Sequence, residues 1–305
     1  MSDVVNKDQD LFWSQKRVAV TGATGFIGAA LVESLVSKAA HVASVTRTPP
    51  GNSAARWINV SQDSEFPLND FEGFSPQVVI HLATKFQASH QQSDIKDLIH
   101  SNIEFGTYLL NATQQLDATF VNISSSWQHY QGATYSPVSL YAATKQAFLD
   151  IARYYAEVGV DVRDLSIYDT FGPTDKRDKI VRLLLKAARS GAPIEMGDGK
   201  QLINLLYIRD AVNAILLTAQ LPRSNDPLFH EYAVRANESI SIRDLVDAVQ
   251  RVTGKNVDAQ WGLRDPRPRE MLTEWVFGDP LPGWSQEFTL DQGLEQCWQD
   301  LAIDA

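Results

Sequence analysis

Two side chains four residues apart, Tyr141 and Lys145, fall within the helical pattern "SLYAATKQAFLDIARYYAEV" (139–158). Four residues make about one helical turn, so both project from the same face. An ammonium beside a phenol favours the phenolate and lowers its pKa. A tyrosine tuned in this way can pass a proton to or from a carbinol oxygen. A tyrosine–lysine pair at this spacing is common by chance, so its surroundings decide its meaning. Just upstream, "TFVNISSSWQHY" ends a strand-like run in three serines, Ser124, Ser125 and Ser126, followed by Trp127, Gln128 and His129.

A second chemical feature lies near the start of the chain. "TGATGFIG" places Gly22, Gly25 and Gly28 at a three-residue period, after the β-branched run "RVAVTG" and before "GFIGAALVESLVSKAA". Glycines at a strand–turn–helix junction permit a tight turn, let backbone N–H groups approach a pyrophosphate, and let the helix pack close to the sheet. This predicts a dinucleotide site that includes Thr24, Phe26 and Ile27. The next strand ends "SVTRT", with Arg47 where an acidic residue would accept from a ribose 2′-hydroxyl. A guanidinium there can clamp a 2′-phosphate, which favours NADP(H), with NAD(H) as the alternative and Arg47 then a solvated charge.

Positioning these groups requires an alternation of strands and helices. "HVASVTR", "QVVIHLA", "TFVNIS" and "VDVRDLSIY" read as buried parallel strands, separated by the helical patterns "DIKDLIHSNIEFGTYLLNATQQL" and the Tyr141 segment. The pattern predicts an α/β fold, a doubly wound parallel sheet of Rossmann type, with a smaller C-terminal substrate-binding lobe. The dinucleotide-binding domain is expected over residues 1–173, completed by about 204–236. The lobe is expected from 174–203 and 237–305. A formal net charge of −10 argues against a nucleic-acid partner, which needs a basic face. A single cysteine, Cys297, excludes an intrachain disulfide. With no apolar leader or membrane-length run, the cytoplasm is the expected location. No metal is expected.

These features together resemble the extended short-chain dehydrogenase/reductase superfamily. The resemblance implies a serine–tyrosine–lysine triad. In the superfamily pattern the catalytic Ser or Thr lies four residues before a tyrosine; Tyr130 is the matching tyrosine and points to Ser126, with Ser125 the alternative. The same match implies that Leu82, Ala83, Thr84, Asn102, Tyr168, Thr170 and Phe171 line the cofactor, with Thr107 on the flanking helix. Arg182, Arg267 and Arg269 become candidates for a nucleotide diphosphate, or else solvated arginines. Trp127, Gln128 and His129 become candidate substrate contacts beside Ser126.

"SSWQHY", "SPVSLYAATKQAF" and "YDTFGPTD" are similar to the CDP-abequose/CDP-paratose synthase group, which reduces the 4-keto group of a CDP-linked dideoxyhexose. Dehydratases of the superfamily place Asp-Glu after the catalytic residue, whereas Trp127 and Gln128 stand there in this chain. The resemblance therefore implies NADPH-dependent 4-ketoreduction of a nucleotide-linked, CDP-type deoxyhexose. A nucleotide-sugar epimerase uses the same groups and is the alternative; a redox-sensing NADP-binding regulator or a reductase of non-sugar carbonyls is further removed. A homodimer through a four-helix bundle, built from the "DIKDLIHSNIEFGTYLL" and "YAATKQAFLDIARYYAEV" helices, is also implied.

Overall fold

The computed structural model describes residues 11–61, 66–224, 228–276 and 278–303. Residues 1–10, on which the absence of an apolar leader is partly read, and 304–305 lie outside them, as do three internal stretches. Seven parallel strands form the central sheet: β1 (Arg17–Thr21), β2 (His41–Thr46), β3 (Arg56–Asn59), β4 (Val78–His81), β5 (Thr119–Ser125), β6 (Asp161–Ile167) and, late in the chain, a strand at Phe229–Val234. Their spatial order runs 3-2-1-4-5-6 and then the late strand. The order reverses between β1 and β4, and such a switch point opens a crevice at the carboxyl ends of the strands.

Two apolar layers sandwich the sheet, and strand alternation assigns residues to them. Val18, Val20, Val121, Ile123, Leu165 and Ile167 face one layer, while Ala19, Val79, Phe120 and Val162 face the other. Helix α1 (Phe26–Ser37) covers the first layer. The second is covered by α4 (Phe105–Gln114) and α5 (Leu140–Glu157), which come after α2 (Leu68–Phe74) and α3 (Ile95–Ile99). Ser139 caps α5, its Oγ accepting from the Ala142 N–H. That cap fixes the helix start two residues before Tyr141. The pattern at 94–116 predicts one uninterrupted helix, but a π-helical turn, His100–Glu104, joins α3 to α4 and turns Asn102 into the interior.

After β7 (Asp169–Phe171) the chain builds α6 (Ile180–Ser190), β8 (Ile194–Met196), β9 (Leu202–Ile203), β10 (Leu205–Tyr207) and α7 (Ile208–Gln220). It then adds the sheet's last strand, β11 (Phe229–Val234), followed by β12 (Ile240–Ser241), α8 (Ile242–Thr253), β13 (Ala259–Trp261) and α9 (Leu290–Ile303). Three two-stranded pairs, β7–β10, β8–β13 and β9–β12, tie these late segments together. One apolar cluster runs from β1, β5 and β6 through α6, α7 and α8 to Leu294 and Cys297, so the late segments share a core with the sheet. Among the described residues no helix is long and apolar enough to cross a membrane.

A buried ion pair holds β6 to α7. Arg163 binds Asp161 at 2.7 Å and donates to the Thr218 and Ala219 carbonyls at the end of α7, both at 2.9 Å. Breaking a buried pair strands the remaining charge. Arg163→Ala is therefore expected to lower the unfolding free energy by about 3–5 kcal/mol, measured by urea denaturation.

Candidate active site

A cavity of about 440 Å³ opens over the carboxyl ends of β1, β4 and β5. Gly22, Thr24, Gly25, Phe26, Ile27 and Gly28 form one wall, with Arg47 at the end of β2 and Leu82, Ala83 and Thr84 after β4. The glycines are sterically required. A Cβ on Gly28 would lie 2.1 Å from the Gly22 carbonyl oxygen, and one on Gly22, at φ +67°, would meet the Ala83 backbone nitrogen at 2.8 Å. This close packing leaves a bare backbone cradle at the N-terminus of α1, suited to a pyrophosphate. Thr21 secures the neighbouring strand end: its Oγ1 accepts from the Leu82 and Ala83 N–H groups, both at 3.1 Å, and donates to His81 Nδ1 at 2.8 Å. Burial pushes the His81 imidazole down to about 3, which keeps it a neutral acceptor for that hydroxyl.

Tyr141 and Lys145 line the inner wall of the cavity. Ser126, reached by counting back from Tyr130, opens the 3₁₀ turn Ser126–Gln128, and both it and the alternative, Ser125, border the cavity that Tyr141 lines. Ser125 also caps the turn, its Oγ accepting from Trp127 N at 3.3 Å. Ser124 turns inward and donates to Asp164 at 2.7 Å. Strand alternation and the cap thus give the three serines different partners.

Burial raises the Tyr141 phenol to about 12, opposed by the Ser125 hydroxyl and Arg177 and reinforced by Asp169. Burial brings the Lys145 ammonium down to about 8, opposed by Asp164. Burial thus favours the protonated phenol.

Several expected contacts lie elsewhere. Asn102 is buried and fully engaged, accepting from Thr84 Oγ1 and Lys85 N and donating to Thr144 Oγ1 and the Lys85 carbonyl, so it braces the cavity wall without lining it. Thr107 bonds back to the Ile103 carbonyl. Tyr168 and Thr170 border the cavity, but Phe171 turns away to pack edge-on against Tyr207. Gln128 is buried and pairs with Gln146 and the Ser125 N–H. His129 stacks on Trp275 at 3.7 Å and bonds the Thr134 carbonyl. Arg182 lies beside a separate, smaller cavity near Cys297, bound to the Asp175 carbonyl. None of Gln128, His129 and Arg182 lines the large cavity: Gln128 is buried, His129 is half-buried against Trp275, and Arg182 lines the smaller one.

Trp127 and Arg267 fare differently. Trp127 borders both the large cavity and an adjoining one whose lining includes Arg267, Arg269, Glu270 and Glu274. The Arg267 guanidinium lies 5.7 Å from the Trp127 ring, and Arg269 stacks on Tyr130. Sequence reading missed Phe86, Asp169, Arg177 and Lys179. Phe86 packs edge-on against both Tyr141 and Trp127, and Asp169 pairs with Lys179 at 2.8 Å at the seam of the two cavities. Arg177 stacks on Phe26 of the glycine loop. Phe86 comes from the loop after β4, Asp169 opens β7, and Arg177 and Lys179 come from the loop after it, where neither periodicity nor motif spacing signals a pocket.

With this geometry, residues 18–232 match the model of the NAD-dependent epimerase/dehydratase family. The chain belongs to that family. Among curated relatives, the CDP-abequose synthase of Salmonella muenchen is 24% identical over 290 residues, covering 92% of this chain and 96% of that protein. A probable dTDP-glucose 4,6-dehydratase of Sinorhizobium fredii is 26% identical, covering 76% and 75%. Among solved structures, MoeE5 in complex with UDP-glucose and NAD superposes with a TM-score of 0.83 at 25% identity, covering 94% of this chain and 99% of that one. The cradle and the family agree on a nicotinamide dinucleotide. Gly28→Ala is expected to push α1 off the loop and weaken NADPH binding by about tenfold or more, at least ~1.4 kcal/mol, measured by fluorescence titration.

Proposed function

We propose that the protein is a nucleotide-sugar-modifying enzyme that reduces the 4-keto group of a CDP-type deoxyhexose with NADPH. The observation that carries this reading is the buried Tyr141 phenol on the cavity wall with Ser125 and Ser126, its protonated form favoured by burial. Ketone reduction needs a proton donor at that position, whereas an alcohol oxidation needs a base. A nicotinamide bound against the glycine loop would supply a hydride for C4 of the sugar. Tyr141 would donate its proton to the oxygen as negative charge develops there, and Ser126, or Ser125 beside it, would hydrogen-bond the same oxygen. Lys145 would hold the ribose, and Arg47 would meet the 2′-phosphate.

Dehydration needs an additional acid and base. Whichever serine is counted from, the next two positions hold no carboxylate, since Ser126, Trp127 and Gln128 occupy them. Asp169 is the carboxylate lining the cavity, and it is neutralised by Lys179. The adjoining cavity supports the nucleotide end of the substrate, with Arg267 over Trp127 available to a diphosphate. A second reading, epimerisation, draws on the structural likeness to MoeE5 bound to UDP-glucose and NAD. It would turn over substrate with no net change in the cofactor.

The decisive assay incubates the enzyme with NADPH and CDP-, dTDP-, UDP- and GDP-linked 4-keto-deoxyhexoses. NADPH oxidation with the CDP sugar is expected, reduced by about 10²–10⁴-fold in Tyr141→Phe while NADPH still binds. No oxidation with any sugar would reject reduction, and equal rates with NADH would remove the role given to Arg47. We further infer a homodimer through α3–α5, whose exposed Ile95, Ile99, Tyr108, Tyr154 and Val158 form an apolar surface. Light scattering at micromolar concentration is expected to give twice the 33.9 kDa chain mass; a monomer would refute this.

A further inference from the structure

Arg177 lines the large cavity, and the reaction described above gives it no role. It lies in the loop between β7 and α6, and its side chain is 42% exposed. Three contacts nevertheless hold its guanidinium in place. Nε and Nη2 form a fork with the two carboxylate oxygens of Asp175, at 2.7 and 2.8 Å, and Asp175 is itself buried. Nη2 also donates to the Thr170 carbonyl at 3.4 Å. The guanidinium then rests over the Phe26 ring, 4.7 Å from its centroid. A fork of this kind fixes a planar cation in one orientation. Its third nitrogen, Nη1, has no hydrogen-bond partner among the described residues.

What this cation stands beside is the glycine loop. Phe26 is the first residue of α1, a helix that starts at Gly25 with no side-chain cap and no acidic residue in its first turn. The first N–H groups of a helix have no partner within it, so the loop offers backbone donors where Arg177 offers a charge. The Phe26 ring is seated against Gly172, where a Cβ would come within 3.3 Å of it, and this spaces the guanidinium from the loop backbone. Asp169, on the same cavity wall, is paired with Lys179 at 2.8 Å. The order of the strands decides which anion fits. β1, which feeds the glycine loop, lies between β2 and β4. Arg47 follows β2 on one side, whereas β7 continues β6, which lies on the other side beyond β4 and β5. Arg177 therefore approaches the loop from the side of Tyr141, Tyr168 and Thr170, away from the 2′-phosphate position given to Arg47. It also does not line the adjoining cavity that holds Arg267.

We propose that Arg177 is a cofactor-binding residue: anchored by Asp175 and stacked on Phe26, it clamps the dinucleotide pyrophosphate against the backbone donors of the glycine loop. The proposal rests on the nicotinamide dinucleotide site alone and holds for reduction and epimerisation alike. A hydrogen bond from a guanidinium to a phosphate oxygen is charge-assisted, and the fork and the ring contact set its orientation before the cofactor arrives, so little side-chain entropy is lost on binding. Because the loop that carries Arg177 leads into α6, the contact also joins the late segments of the chain to the bound cofactor.

Equilibrium binding tests this in cofactor-free protein, by fluorescence titration with NADPH and with NADH. Both carry the pyrophosphate, and only NADPH carries the 2′-phosphate. Arg177→Ala is expected to weaken both by the same factor, about 10–10²-fold, as loss of a hydrogen bond between charged groups does. Arg177→Lys keeps the charge but loses the fork and the flat stack, and is expected to fall between Ala and wild type. Adenosine 2′-phosphate, which has no pyrophosphate, is expected to compete with unchanged affinity. Unchanged NADPH and NADH affinity in Arg177→Ala overturns the proposal, as does a loss confined to NADPH or a matching loss for adenosine 2′-phosphate. Absence of a cooperative thermal transition in both variants also overturns it, by making Arg177 a structural residue. Equal losses for NADPH and NADH, in a protein whose wild type oxidises NADPH with no sugar, would keep the pyrophosphate contact and reject the reductase reading.

Discussion

The constraint on which the site depends is the burial of polar groups at the carboxyl ends of the central strands, under two helices. Thr21, His81, Asn122, Ser124 and Asp164 project from the sheet, and Asn102, Thr144 and Lys145 meet them from the helices. Each would cost free energy in a dry interior if left unpaired. The hydrogen bonds that most of them make also fix the cavity wall. Thr21 holds the backbone after β4 in place, and Asn102 holds Thr84 and Lys85 through a π-helical turn that exists to bring it inward. The reactive pair at Tyr141 and Lys145 is the outermost layer of this network.

Burial also sets the chemistry. A phenol removed from water resists ionisation, so Tyr141 is a proton donor. An ammonium removed from water resists protonation, so Lys145 requires a counter-charge. One physical effect thus pushes the two members of the pair in opposite pKa directions while leaving both protonated at neutral pH. This polarity fits an enzyme that delivers a proton to a developing alkoxide. The serines sit differently: Ser124 donates to Asp164, while Ser125 caps the turn that follows and borders the cavity with Ser126.

Much of this was legible in the residues. The glycine period after "RVAV", the one-turn spacing of Tyr141 and Lys145, and the alternation of apolar strands with helices each depend on local geometry, and local geometry is written along the chain. β3 and β11 were less legible because they lie at the sheet edges, where a half-exposed strand carries a weak apolar signal. Helix α9, in the tail assigned to the smaller lobe, was not read as a helix although its Leu294 and Cys297 reach the core.

The sequence by itself determined the α/β fold, the dinucleotide loop and the tyrosine–lysine pair, because backbone sterics and helical periodicity act over a few neighbouring residues. Only the tertiary structure decided that Ser124 turns inward to Asp164, that Gln128 is buried and that Arg182 lines a separate cavity. Those outcomes depend on which strand lies opposite which and on what a helix covers. Asn122 and Asp164 are distant along the chain and adjacent only after β5 and β6 pair.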